Sequence, residues 1–170
     1  MNKKLIDGNN EFVELMNSNK NFKDYNDNLI TNGQHPYALV ITCSDSRVIP
    51  EVIFNKTLGE LFVIRTAGNV INDGELATIE YAIEHLKIKE IIVLGHTYCG
   101  AIHAAIHKES GKYIDKILDK IKANIKVETD EVKASRINAE KVALYIKEMF
   151  PNYDGLVIPL IYNLKTNKVE

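Results

Sequence analysis

Residues 90–100 read EIIVLGHTYCG, and their reading decides the fold. Glu90–Gly95 is the most apolar short run in the chain, rich in β-branched residues, which marks a strand buried on both faces. It ends at His96, and Cys99-Gly100 then leads into a helix over Ala101–His107. A buried strand that feeds straight into a helix is half of a βαβ unit, so its partners are sought on either side. Upstream, Pro36 opens a second such run, Tyr37–Thr42, which ends at Cys43. Ser44–Val48 is a loop, and Ile49-Pro50-Glu51 starts a short helix, with proline in the first turn where its missing N–H is harmless. Leu61–Arg65 is another strand and Thr66–Gly74 a polar loop. A helix begins at Asp73-Gly74, its apolar residues Leu76, Ile79, Ala82, Ile83 and Leu86 in a 3-4 rhythm. Downstream lie helices over Tyr113–Lys126 and Asp130–Phe150, the second stopped by Pro151. A last strand, Gly155–Tyr162, folds back on Val169 through the Lys165–Asn167 turn. At the N-terminus, Asn9 or Asn10 caps a helix over Glu11–Asn19, and polar residues follow to Gln34. Strands alternating with helices predict an α/β fold with a mostly parallel sheet and right-handed crossovers.

The 170 residues, 45% of them hydrophobic, suit one domain with a real core. A net charge of -2 gives no electrostatic reason to expect nucleic acid or an anionic membrane as partner. Near the N-terminus only Leu5-Ile6 follows the two lysines, far short of a signal peptide's apolar region. Ala38–Ile41, Ile91–Leu94 and Leu156–Ile161 all fall well below the ~20 residues that span a bilayer. The expectation is a soluble, cytoplasmic protein.

The two cysteines, Cys43 and Cys99, are the chain's whole thiol supply. Each stands at the C-terminal end of a predicted strand, and in open parallel sheets ligands gather outside those ends. If the first and third strands are neighbours, Cys43, His96 and Cys99 converge. Buried structural thiols, a redox pair and metal ligands are the three options for them. Two thiolates and an imidazole suit a tetrahedral Zn²⁺, and three protein donors leave a fourth position for water. An ion there lowers the pKa of that water toward ~7 and yields a hydroxide nucleophile. Asp45 is then either a fourth ligand or an acceptor for the hydroxide's hydrogen, with Arg47 holding it bidentately. The plain alternative is an Asp-x-Arg pair in a solvated loop. His103 and His107, four apart on a predicted helix, allow a rival set of His96, Cys99 and His103, which leaves Cys43 without a task. They otherwise make an exposed helix face or, with His35, a proton relay.

Cys-Ser-Asp-Ser-Arg at 43–47 followed by His-x-x-Cys-Gly at 96–100 resembles the β-class carbonic anhydrases. The likeness runs from Gln34 through Gly100, roughly 40% of the chain. It carries NGQHPYALVITCSDSRVIPE, GELFVIRTAGN and IEYAIEHLKIKEIIVLGHTYCGA. The resemblance implies strand order 2-1-3-4 with a fifth edge strand, an N-terminal helical arm over about 1–33 and a zinc-binding core over about 34–170. It implies one Zn²⁺ on Cys43, His96 and Cys99, an Asp45–Arg47 dyad, and a substrate pocket of Gln34, Phe62, Ala67, Tyr81 and Gly100. It further implies a homodimer or dimer of dimers with the pocket at the subunit interface, and reversible hydration of carbon dioxide to bicarbonate. Hydrolysis of carbonyl sulfide or carbon disulfide on the same scaffold is the alternative; a zinc or thiol-redox protein without turnover is another. Two departures stand out. Thr66 occupies a position where the family usually has asparagine. Val40 occupies the tryptophan position of the branch that binds regulatory bicarbonate, so an open site is expected, with Asp45 paired to Arg47.

Overall fold

A computed structural model describes residues 3–18 and 20–170, with the side chains of 20–25 outside that description. The chain divides into two compact units, residues 1–35 and 36–170. The first holds α1 (Lys3–Ser18) and α2 (Lys20–Asn32). The sequence reading placed one helix over Glu11–Asn19 and only polar chain beyond it. Instead the helix starts at Lys3, because Leu5 and Ile6 extend the spacing of Phe12, Val13 and Met16 backwards by two turns. Asn19 lies outside the described residues. The polar stretch is itself helical to Asn32, with the Thr31 hydroxyl donating to the Asp27 carbonyl at 2.9 Å. Its apolar residues Phe22, Tyr25 and Leu29 stand at helical spacing but are few among polar neighbours, which weakens the signal that pattern reading depends on.

The second unit runs β1 (Ala38–Cys43), α3 (Pro50–Ile53), β2 (Leu61–Thr66), α4 (Asp73–Glu84), β3 (Glu90–His96), α5 (Gly100–Ile106), α6 (Asp115–Ile125), α7 (Glu131–Met149), β4 (Leu156–Asn163) and β5 (Lys168–Val169). The sheet order is β2-β1-β3-β4-β5, parallel except for the antiparallel β5. Every residue of β1 is buried, as its unbroken apolar run requires. Leu39, Ile41, Ile91, Val93, Val157 and Ile161 meet Ile79, Ala82, Val142, Ala143 and Ile146 on one face. Val40, Leu94 and Tyr162 point to the other, where Val48 and Phe54 cover them. Burying each large aliphatic side chain stabilises the fold by about 1.5–3 kcal/mol.

Two details bring the helices close. Gly95 leaves room for α7: a Cβ there would lie 2.7 Å from Ile161 Cδ1 and 3.2 Å from the Ser135 carbonyl oxygen. Asp130 caps α7 by accepting from the Lys133 N–H at 2.9 Å, satisfying one of its orphan donors. The order has a consequence for chemistry. The chain leaves β1 toward β2 at one edge and leaves β3 toward β4 at the other. The adjacent tips of β1 and β3 therefore flank a switch point, where connections diverge and open a crevice.

Candidate metal centre

Cys43 is the last residue of β1 and His96 the last of β3. Thr42 locks the two strands together, its hydroxyl donating to the Leu94 carbonyl at 2.7 Å. Beyond His96 the chain reverses in a tight turn, with Tyr98 in the left-handed region at φ 57°. Residues outside the turn hold it: the Thr97 N–H donates to the Tyr162 carbonyl at 3.1 Å, and Thr97 Oγ1 accepts from the Leu164 N–H at 3.0 Å. The turn returns Cys99 beside His96, at the start of α5.

The donor atoms of Cys43, His96 and Cys99, all three buried, lie within 4.8 Å of one another. The two sulfurs are 3.9 Å apart. Two thiolates at about 2.3 Å from one tetrahedral ion stand about 3.8 Å apart, whereas a disulfide needs about 2.05 Å. His96 Nδ1 lies 2.9 Å from the Thr97 carbonyl oxygen, so Nδ1–H donates there and Nε2 carries the lone pair. That Nε2 is buried and has no hydrogen-bond partner. An orphaned buried acceptor is costly unless something binds it, and a metal ion beside two thiols does so. The residues therefore fit a thiophilic, tetrahedral divalent ion.

The electrostatics agree. The Cys43 thiol is held well below its usual value, first by the hydrogen bond from Cys99 and further by the Gly68 N–H, against the opposing effect of burial. Cys99 is pushed up, chiefly because it keeps the proton shared with Cys43 and because it is buried. A thiol held low in this way gives up its proton readily when a cation arrives. Gly68 N–H donates to Cys43 Sγ at 3.4 Å. Behind the ligands, the space bordered by Gly68, His96, Cys99, Ser135 and Asn138 holds no water-sized volume.

Asp45 and Arg47 sit just past β1. Arg47 grips the carboxylate in a fork, Nε to Oδ1 at 2.9 Å and NH2 to Oδ2 at 2.7 Å, and its backbone N–H donates to Oδ1 at 2.9 Å. The arginine also donates to the Tyr98 carbonyl at 3.2 Å, tying the loop to the 96–99 turn. These hydrogen bonds hold the Asp45 carboxyl far below the ordinary carboxylate range. Arg65 secures the same loop from β2, donating to the carbonyls of Cys43 at 3.2 Å and Asp45 at 2.7 Å.

A sequence profile described as carbonic anhydrase matches residues 38–151, more than half of the chain. The chain belongs to the β-carbonic anhydrase family. It is 51% identical over 74 residues to carbonic anhydrase 2 of Mycobacterium tuberculosis, a match covering 44% of this chain and 36% of that protein. It is 42% identical over 113 residues to a carbonic anhydrase of Helicobacter pylori, covering 60% and 49%. The matched stretches thus span about half or less of the curated relatives' length. Among solved structures it is similar to the β-carbonic anhydrase CcaA, at TM-score 0.81 and 30% identity over 98% of this chain and 92% of that one. It is also similar to the enzyme CafA of Aspergillus fumigatus, at TM-score 0.83 and 25% identity over 98% and 88%.

The other residues implied by the β-carbonic anhydrase resemblance fall in three groups. Ala67 and Gly100 stand at the metal centre: Ala67 precedes the glycine bonded to Cys43, and Gly100 follows Cys99, where an added Cβ would meet nothing within 4 Å. Phe62 and Tyr81 pack together, ring centroids 6.1 Å apart. Phe62 pairs with Leu39, four residues back from the Cys43–Thr66 pair, or about 13 Å along the strand. The structure of one chain therefore does not bring these aromatics to the ligands. Gln34 and His35 are exposed residues of the first unit, His35 bonded to the Asn32 carbonyl at 3.1 Å.

Sequence reasoning missed Thr97, which sets the turn and the His96 tautomer, and Asn138. Asn138 is 1% exposed, donates to the Gly68 carbonyl at 2.8 Å and accepts from Asn124 at 2.9 Å. It fixes the peptide next to the one that faces Cys43. The available signal was a polar residue on the apolar stripe of α7, among Ala134, Ala139 and Val142. His103 donates nothing to the centre; its ring lies on Glu131 and His107.

Proposed function

We propose that the chain catalyses the reversible hydration of carbon dioxide to bicarbonate and a proton, with one zinc ion held by Cys43, His96 and Cys99. The observation that carries the proposal is the buried, unpartnered His96 Nε2 grouped with two thiols at the spacing of a shared ion. An ion held there would supply Lewis acidity, which activates water as a nucleophile near neutral pH. Asp45, its carboxylate kept ionised by Arg47, acts as the acceptor that orients the attacking oxygen by its hydrogen. With both its oxygens in the arginine fork, Asp45 is turned to that task and is not a fourth ligand. The Gly100 N–H, in the first turn of α5 where the helix supplies no acceptor, is the donor offered to the developing oxyanion. Ala67 gives the apolar wall near the ligands, and the family resemblance assigns Gln34 to positioning a substrate oxygen.

The distance of Phe62 from Cys43 along β2 supports a pocket shared across subunits, in which a partner supplies Phe62 and Tyr81. A homodimer or dimer of dimers follows, and structurally similar β-carbonic anhydrases of Sordaria macrospora are tetrameric. No described helix is long and apolar enough to cross a membrane. Two cysteines committed to a metal suit the reducing cytoplasm.

The test is stopped-flow carbon dioxide hydration on zinc-quantified protein, with carbonyl sulfide and carbon disulfide assayed beside it. Turnover of carbon dioxide that scales with bound zinc is expected. Fully loaded protein that ignores carbon dioxide, or that turns over only the sulfur analogues, overturns the proposal.

A further inference from the structure

We propose that His103, His107 and Glu131 form a second divalent-metal site, built from nitrogen and oxygen donors and sharing no residue with the cysteine-bearing centre. Their donor atoms lie within 4.8 Å of one another. His103 is in the last turn of α5, His107 is the residue that closes that helix, and Glu131 is the first residue of α7. Two histidines four apart on a helix present their rings on one face, the arrangement by which helical zinc motifs supply a ligand pair. Here the rings are stacked, centroids 4.0 Å apart at 27°.

The hydrogen bonds orient the donors. His107 Nδ1 lies 2.9 Å from the His103 carbonyl oxygen, so its N–H is spent there and Nε2 is left with the lone pair. A metal-binding histidine typically has its other nitrogen committed in this way. His103 Nδ1 lies 2.7 Å from Glu131 Oε1. A nitrogen and an oxygen bound at about 2.0–2.1 Å to one tetrahedral ion are about 3.3 Å apart, so the ion replaces the proton between them and the pair opens by a few tenths of an ångström. Both side chains have the freedom to do so, at 50% and 33% exposure. The remaining coordination is left to water.

The protein holds this cluster on rigid elements. Asp130 caps α7 directly before Glu131, and the Ser135 hydroxyl donates to the Glu131 carbonyl at 2.8 Å. A proton between His103 and Glu131 satisfies two of the three groups and leaves a second imidazole stacked on the first. One cation satisfies all three. Two imidazoles and a carboxylate select Zn²⁺, Ni²⁺ or Cu²⁺ over Mg²⁺ and Ca²⁺, and the absence of sulfur separates this site from the cysteine centre. Occupancy ties the C-terminal end of α5 to the start of α7. The opposite end of α5 carries Cys99.

The experiment titrates Zn²⁺ by calorimetry into protein already holding one equivalent, beside His107→Ala and Glu131→Gln prepared the same way. Zinc content before titration, read by elemental analysis, reports the cysteine centre independently. Expected is a second equivalent of micromolar affinity in the parent protein, weakened by about tenfold or more in each variant, with the first equivalent retained. No second equivalent up to millimolar zinc overturns the site. So does a second equivalent that either variant leaves unchanged, since the ion then sits elsewhere or on fewer donors.

Discussion

Replacing Gly68 by alanine tests the packing behind the metal centre directly. Gly68 has φ 65°, and a Cβ there would lie 2.7 Å from Ile121 Cδ1 and 3.1 Å from Ala101 Cβ. The left-handed backbone costs an alanine about 1–2 kcal/mol. The Ile121 methyl is the end of a flexible side chain, and moving it off its rotamer costs about 0.5–1.5 kcal/mol. Alanine recovers about 0.4–1 kcal/mol by restricting the unfolded chain. The net destabilisation is about 2 kcal/mol, a fall in melting temperature of about 4–8 °C for a chain of this size. Because the Gly68 N–H also faces Cys43 Sγ at 3.4 Å, zinc affinity should drop by about tenfold. Thermal melts followed by circular dichroism, with competition against a chromophoric chelator, measure both. Gly100→Ala is the control: its Cβ meets nothing within 4 Å, so its melt should hold or rise slightly, as alanine favours a helix. A Gly68→Ala protein that melts within about 1 °C of the parent and binds zinc equally well would refute the reasoning.

Other outcomes follow from the same contacts. Arg47→Ala should keep its zinc, since arginine touches no ligand side chain, yet lose about a hundredfold or more in carbon dioxide hydration as Asp45 loses its orientation; elemental analysis and stopped-flow separate the two effects. The Asp45 carboxyl is depressed in the folded protein by Arg47, so its contribution to stability is fully present above the unfolded value near ~3.9 and is lost as pH falls toward the folded one. In zinc-free protein, the stability difference between parent and Arg47→Met should therefore be constant above about pH 5 and shrink in stronger acid, as read by urea unfolding at a series of pH values. Asn138→Ala strands the Gly68 carbonyl and the Asn124 amide, which costs about 1–3 kcal/mol and lowers zinc affinity; an unchanged melt would contradict the role assigned to that amide. Stripping the metal with a chelator should leave Cys43 and Cys99, 3.9 Å apart, open to oxidation in air, whereas loaded protein keeps both thiols on mass analysis.

Much of this was legible before any coordinates. An apolar run such as Ile91–Leu94 has few ways to bury itself, and the glycine and polar residues that end it place His96 at a strand tip. The 3-4 rhythms of α4, α6 and α7 report one buried face each. The N-terminal arm is harder to read, because α1 buries none of its residues and most positions of α2 are polar, so neither pattern reports a buried face. The Asn138–Gly68 bond was hidden for another reason: it joins residues seventy positions apart, and no local pattern encodes a partner at that distance. Glu131 was equally invisible as a neighbour of His103, since only the packing of α5 on α7 brings them together.

By itself, then, the sequence determined the order of elements from β1 onward and, through the family resemblance, named the three candidate metal donors, because burial and donor type are properties of each residue and its near neighbours. The family resemblance implied β1 beside β3, and the sheet has that order; only the tertiary structure decided that Thr97 turns His96 Nε2 into the site and that Phe62 stands four residues away from it along β2. Those outcomes depend on which surfaces meet when the sheet closes, and that choice is made by the whole core at once.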